Sequence, residues 1–103
     1  MIFIETSYFT QDVLELLSDE EYARLQAWLA SNPDAGDLIQ DTGGLRKVRW
    51  SAGGKGKRGG VRVIYYDASD VHQIRMLLIY RKGVKDDLTA KEKAILRSIN
   101  AQW

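Results

Sequence analysis

The sequence predicts an α+β fold: an N-terminal strand and a helical hairpin packed on a small antiparallel sheet, closed by a C-terminal helix. Three observations predict it. Two capping-box signatures, Ser18-Asp19-Glu20-Glu21 and Thr89-Ala90-Lys91-Glu92, each open a stretch of helical spacing. Between them, residues 45–81 carry apolar and cationic side chains in the two-residue period of a strand. The element order that results, β-α-α-β-β-β-α, groups helices with helices and strands with strands, which is the α+β pattern. The helices are expected on one face of the sheet and the charges on the other.

Each element has its own reason. Ile2–Glu5 is short and apolar and reads as a first strand. Thr6 or Ser7 caps a helix to about Leu17, with Phe9, Val13, Leu16 and Leu17 on one stripe. The second helix starts at Ser18, whose hydroxyl serves the Glu21 amide while Glu21 reaches back. Its first-turn acids complement the helix dipole. Tyr22, Leu25 and Leu29 face inward with Trp28 beside them, and Asn32-Pro33 ends the helix. The two helices read as an αα-hairpin. Residues 33–44 form a loop that Leu38 and Ile39 are expected to pin to the core.

Three strands follow. In Leu45–Ser51, Val48 and Trp50 share one face and Lys47 and Arg49 the other. Residues 53–60, Gly-Gly-Lys-Gly-Lys-Arg-Gly-Gly, read as a glycine-rich hairpin arm. In Val61–Asp67, Val61, Val63 and Tyr65 share a face, and Arg62, Ile64 and Tyr66 share the other. Asp67–Val71 is a turn. His72–Arg81 contains Met76–Tyr80, apolar on both faces, as suits a strand covered on both sides. The last helix carries Ile95, Ile99 and Trp103 at i, i+4 and i+8.

With 103 residues and 45% apolar side chains, the chain suits one domain, 1–103, with one modest core. There is no cysteine, so no disulfide, thiolate metal site or cysteine nucleophile. The start MIFIETSYF lacks the basic opening and long apolar run of a signal peptide, and no apolar stretch is membrane-length. A cytoplasmic protein is the expectation. The net charge of +1 conceals a dipolar chain. Residues 1–45 hold nine acids and one base, leaving −8; residues 46–85 hold eleven Lys/Arg and two acids, leaving +9. A basic surface of this kind is first a site for phosphates.

The residue types narrow the chemistry. The glycine-rich arm is not a P-loop, because Ser51 stands where the first glycine should be and Arg58 where a Ser or Thr should follow Lys57. It reads either as a solubilising loop or as a phosphate-approaching arm, the second favoured by its neighbours Lys47, Arg49 and Arg62. His72 is the only histidine, which excludes a histidine acid/base pair. Asp86-Asp87 and the acids at 19–21 read as cap and surface charges rather than metal ligands. Tyr66 and Tyr80 stand close to cations in sequence, and a tyrosine can stack on a base or give a proton. Cations alone suffice to promote attack of a 2′-OH on the adjacent phosphodiester, whose transition state gains negative charge. A lysine crowded by other cations has its pKa lowered and can move a proton.

Four segments in this order, SDEEY (18–22), GDLIQDTGGLRKVRW (36–50), GKGKRGGVRVIYY (54–66) and LLIYRKGVKDDLT (77–89), give the chain a resemblance. Over nearly its whole length it resembles the RelE/HigB-type toxins of bacterial type II toxin–antitoxin systems, in particular the HigB branch. That resemblance implies a RelE-like domain that enters the ribosomal A site and cleaves mRNA, an mRNA interferase that inhibits translation. It implies a cognate antitoxin, with a helix-turn-helix, through which alone the toxin reaches operator DNA. It implies no metal, no organic cofactor and no membrane. Carried over by position, the family's paired basic residues correspond to Lys47 and Arg49, its next-strand arginine to Arg62, and its last basic cluster to Arg81, Lys82 and Lys85. Residues 82–89 hold no tyrosine where the best-known branch has one, and Gly83 stands at its arginine. Tyr80, or Lys55 or Lys57, is then the proton-transfer alternative. Lys55, Lys57, Arg58 and Lys85 are the expected RNA contacts. The same charge map also fits a non-catalytic RNA- or partner-binding module, and a third option makes the acidic helices the main interaction surface.

Overall fold

A computed structural model of the chain describes residues 1–51 and 60–103. The basic arm, with Lys55, Lys57 and Arg58, lies outside the described residues. The fold is α+β: strands β1 (Ile2–Glu5), β2 (Asp37–Leu38), β3 (Leu45–Trp50), β4 (Val61–Ala68) and β5 (Gln73–Arg81), with helices α1 (Ser7–Leu16), α2 (Asp19–Ser31) and α3 (Ala90–Ala101). The five strands run in the order β1-β5-β4-β3-β2. The β2–β3, β3–β4 and β4–β5 pairs are antiparallel, and β1 joins β5 in parallel, so the sheet is mixed. A four-residue strand carries no pattern that encodes its direction, so the parallel pair was not readable from sequence. β2, a two-residue edge strand inside the expected loop, is equally too short to leave a signature.

The local signals set the helix ends. Thr6 caps α1: its hydroxyl accepts from the Phe9 N–H at 3.0 Å and donates to the Leu77 carbonyl at 2.7 Å, tying the helix start to β5. Both capping boxes are complete, Ser18 with Glu21 and Thr89 with Glu92. α2 ends with Asn32 as its C-cap, just before Pro33.

The helices divide between the two faces of the sheet. α1 and α2 bury Phe9, Val13, Leu17, Leu25 and Leu29 against Val48, Val61, Val63, Tyr65, Ile74, Met76 and Ile79. The ring of Trp28 in α2 packs at a tilt against that of Trp50 in β3, with centroids 5.4 Å apart. α3 and Leu88 cover the opposite face, where Leu96 packs with Leu45, Ile64, Leu77 and Tyr80. The expectation of helices on a single face is corrected here. The cause is Leu45 and Ile64, which lie on the same face as Lys47 and Arg62 and need an apolar cover. Each fully buried Leu or Ile stabilises by roughly 1.5–3 kcal/mol, enough to draw α3 onto the charged side.

Two further expectations change in detail. In α3 the buried residues are Leu96 and Asn100, while Ile95 is 45% and Trp103 40% exposed. Leu38 is 63% exposed and only Ile39 packs inward. The loop is anchored instead by polar groups. Tyr65, fully buried, donates to the Pro33 carbonyl and accepts from the Gly36 N–H, both at 2.9 Å. Arg46 donates to the Asp34 and Gly36 carbonyls. Burial pushes the Tyr65 phenol up, with the Gly36 N–H opposing. A Cβ on Gly36 would meet the Tyr65 ring at 2.9 Å, so this close approach requires glycine.

β5 contains a bulge. Ile64 pairs with Leu78 and Tyr65 with Met76, so Leu77 is an extra residue on β5. Leu77 and Leu78 consequently both belong to the α3 side of the sheet. Downstream of the bulge the alternation is shifted, and Tyr80 faces α3 while Ile79 faces the helix pair.

Candidate active site

The register of three strands assembles the site. Arg49 of β3 pairs with Arg62 of β4, and Arg62 pairs with Tyr80 of β5. Residues opposite one another on neighbouring strands project to the same side, so these three stand in one cross-strand row. Lys47, two residues from Arg49, lies on the same face and pairs with Ile64. Two arginines directly opposite repel, a cost that an anion between them removes.

Tyr80 is the buried member of the row. It is 6% exposed, and its hydroxyl has no hydrogen-bond partner among the described residues. A buried O–H left in this way is costly and is satisfied when a ligand acceptor arrives. Burial raises the Tyr80 pKa above its ordinary value of 10.0, the neighbouring Arg62 charge opposes that shift, and Asp87 and Glu92 add to it. The net effect keeps the phenol protonated at neutral pH.

Lys85 stands over this ring, with Nζ 5.4 Å from its centroid. The ammonium is also held by the Glu92 carboxylate. Glu92 thus closes the α3 capping box with one oxygen and positions Lys85 with the other. The Lys85 bond, the largest cause, and the Thr89 N–H hold the Glu92 carboxyl below its usual 4.5.

A cavity of about 360 Å³ opens beside Tyr80 and Lys47, bordered by Asp37, Gln40, Asp87 and Lys93. Lys47 Nζ donates to Asp87 Oδ1 at 3.4 Å, with the Asp87 side chain 83% exposed. Such an open pair is worth at most about 1 kcal/mol, so an arriving phosphate can take Lys47 at little cost. Sequence reasoning assigned Asp87 to caps and surface, and it did not single out Asp37 or Lys93. No local signal links these residues, because Asp87 and Lys47 are 40 positions apart.

The remaining expected site residues fall elsewhere. Arg81, next to Tyr80, alternates to the α1 side, where it borders a cavity with Asp12, Glu15 and Val84 that Tyr80 also touches. Lys82 lies past the strand end, exposed, with its N–H bonded to the Gly60 carbonyl at 3.2 Å. The structure therefore brings together Lys47, Arg49, Arg62, Tyr80 and Lys85, and turns Arg81 away from them. Lys55, Lys57 and Arg58 are outside the described residues. His72, exposed and left-handed at φ 59°, ends the turn before β5 and donates no side chain to the row. No protein-family model matches the chain.

Proposed function

We propose that the protein is a metal-independent endoribonuclease of the RelE/HigB toxin type, which cuts mRNA on the ribosome and so inhibits translation. The observation that carries this reading is the in-register row Arg49–Arg62–Tyr80, with a buried phenol at its end that has no hydrogen-bond partner among the described residues. In this mechanism Arg49, Arg62 and Lys47 hold the scissile phosphate. The 2′-oxygen attacks phosphorus, a new P–O2′ bond forms, and the P–O5′ bond breaks, leaving a 2′,3′-cyclic phosphate and a 5′-hydroxyl. The 2′-OH proton passes to solvent or to a carboxylate bordering the cavity. Tyr80, protonated at neutral pH, supplies the proton to the departing 5′-oxygen. The cations are worth more to the pentavalent transition state than to the ground state, because charge accumulates there. The Arg62 charge favours loss of the phenol proton, and Lys85, held by Glu92, packs over the ring.

The partners follow from the resemblance stated above: mRNA in the ribosomal A site, and an antitoxin with a helix-turn-helix that carries the complex to operator DNA. The compartment is the cytoplasm. Among the described residues no helix is long and apolar enough to cross a membrane.

The test is mapping of mRNA 5′ ends in cells after brief induction, wild type beside the Lys47→Ala, Arg62→Ala double variant. New cuts inside translated regions, absent in the variant, are expected. Growth arrest with intact mRNA would replace this reading with a non-catalytic binding module.

A further inference from the structure

The α3-covered face carries a second cavity at its other end, about 290 Å³ in volume. Tyr66 and Arg75 border it from the sheet, and Arg97, Asn100 and Trp103 from the end of the chain. None of its described lining residues is acidic. Arg75 is half-buried and held in place: Nη1 donates to Asn100 Oδ1 and Nε to Gln73 Oε1, both at 3.4 Å. Its guanidinium lies 5.5 Å from the Tyr66 ring centroid and 6.0 Å from that of Trp103. The four contacting groups, two side-chain amides and two rings, are neutral, so this partly desolvated cation is oriented without an acidic side chain paired to it among the described residues. A guanidinium fixed in this way is an anion receptor, and planar forks of this kind match phosphate oxygens.

The second cation is Arg97, which packs against the turn at Gly43. One helical turn earlier, Lys93 borders the first cavity, the one beside Tyr80 and Lys47. Positions 93 and 97 are i and i+4 neighbours on α3, so the helix presents one cation to each cavity. Measured along β4, Arg62 and Tyr66 are four residues apart, about 13 Å. The two cavities thus lie within reach of one short single strand, connected by a cationic edge of α3.

We infer that this second cavity is a subsite for one nucleotide of the bound RNA strand, its phosphate held by Arg75 and Arg97 and its base stacked on the exposed Trp103. The inference rests on the ribonuclease reading for the identity of the strand. It adds a second point of attachment, away from the reacting atoms, that sets which way the strand lies. Aromatic stacking suits this role because every base offers a π-face.

The experiment uses a short RNA carrying 2′-O-methyl groups throughout, which lacks the nucleophile and is not cut. Its affinity is measured by anisotropy at several salt concentrations, and tryptophan emission is followed in the same titration. Trp28 and Trp50 pack against each other on the helix-pair side of the sheet, and the response is assigned to Trp103 by its loss in Trp103→Ala. Arg97→Gln is expected to weaken binding about 3–10-fold and to reduce the slope of log affinity against log salt by about 0.7, one phosphate contact. Trp103→Ala is expected to weaken it at least about 5-fold and to abolish the emission change. Both side chains are exposed, and circular dichroism checks that both variants fold. Wild-type affinity and slope in both variants would overturn the inference. So would a nucleoside monophosphate that quenches Trp103 as tightly as the strand does, because the cavity would then be a free-nucleotide site. The Arg62→Ala protein separates the two readings. Loss of cleavage with the Trp103 response kept supports both. An uncut cellular transcriptome alongside a strand response that needs Arg97 and Trp103 removes the ribonuclease but leaves the RNA subsite standing.

Discussion

Tyr80→Phe is expected to leave the fold intact while lowering cleavage by about 10²–10⁴-fold, the usual loss when a positioned proton donor is removed. The hydroxyl has no partner among the described residues, so deleting it strands nothing and removes a desolvated polar group. Thermal unfolding of this variant should match or slightly exceed wild type, and a strongly lowered midpoint would show that the phenol has a structural bond. Because burial raises its pKa above the ordinary tyrosine value, the phenol is protonated at neutral pH, and the proposed mechanism places the alkaline limb of the wild-type rate profile above the ordinary tyrosine range. At this scale the sequence was informative about the cations. The period of two placed Lys47, Arg49 and Arg62 together, and the structure has them on one face. It read Asp87 as a cap or surface charge and missed its pairing with Lys47, which depends on how the segment after β5 folds back.

The elements were legible wherever a local hydrogen bond defines them. Both capping boxes and the Pro33 stop involve residues within four positions of each other, so their signals sit in the sequence itself. The α3 box also makes a pH-dependent contribution. Glu92 has a folded pKa held below its usual 4.5, so its stabilisation is present above that value and disappears as pH falls through the lowered folded value. Glu92→Gln is therefore expected to be less stable than wild type near neutrality and equal to it in strong acid, as read by urea unfolding at several pH values. An equal deficit at every pH would mean that the carboxylate charge is not what matters. Cleavage by Glu92→Gln should fall as well, because Lys85 loses its anchor over the Tyr80 ring. The stripe of α3 was the element misread. Ile95, Ile99 and Trp103 fit helical spacing as well as the buried residues do, and only the positions of Leu45 and Ile64 on the sheet choose Leu96 and Asn100 instead.

Across the whole molecule the charges separate by sequence half, −8 over residues 1–45 and +9 over residues 46–85. The domain measures 36 × 29 × 23 Å, several times the screening length of about 8 Å at physiological salt. Acids exposed on the α1–α2 pair, such as Glu15 and Glu20, are on the other side of the sheet from the Arg49–Arg62 row. Neutralising both, as Glu15→Gln with Glu20→Gln, is expected to change RNA affinity less than about twofold at physiological salt. Arg49→Gln should lower it several-fold, with a shallower salt slope. Equal effects in a filter-binding assay would mean that net charge alone governs binding. The α+β class was readable at this scale, since element order decides it. The parallel placement of β1 and the move of α3 to the second face were not, because both depend on contacts between the ends of the chain and its middle.

The extra residue in β5 means that this strand is read in two frames. Ahead of Leu77, even-numbered positions such as Ile74 and Met76 serve the helix-pair core; after it, the odd-numbered Ile79 takes that duty and the even-numbered Tyr80 is released to the opposite side. An unbroken alternation would have turned the phenol toward the helix pair, opposite Val61, and set Ile79 opposite Arg62 instead. A single-residue slip upstream of the bulge and one downstream of it are thus different lesions: the first disturbs the helix-pair core and spares the row, the second takes the phenol out of the row.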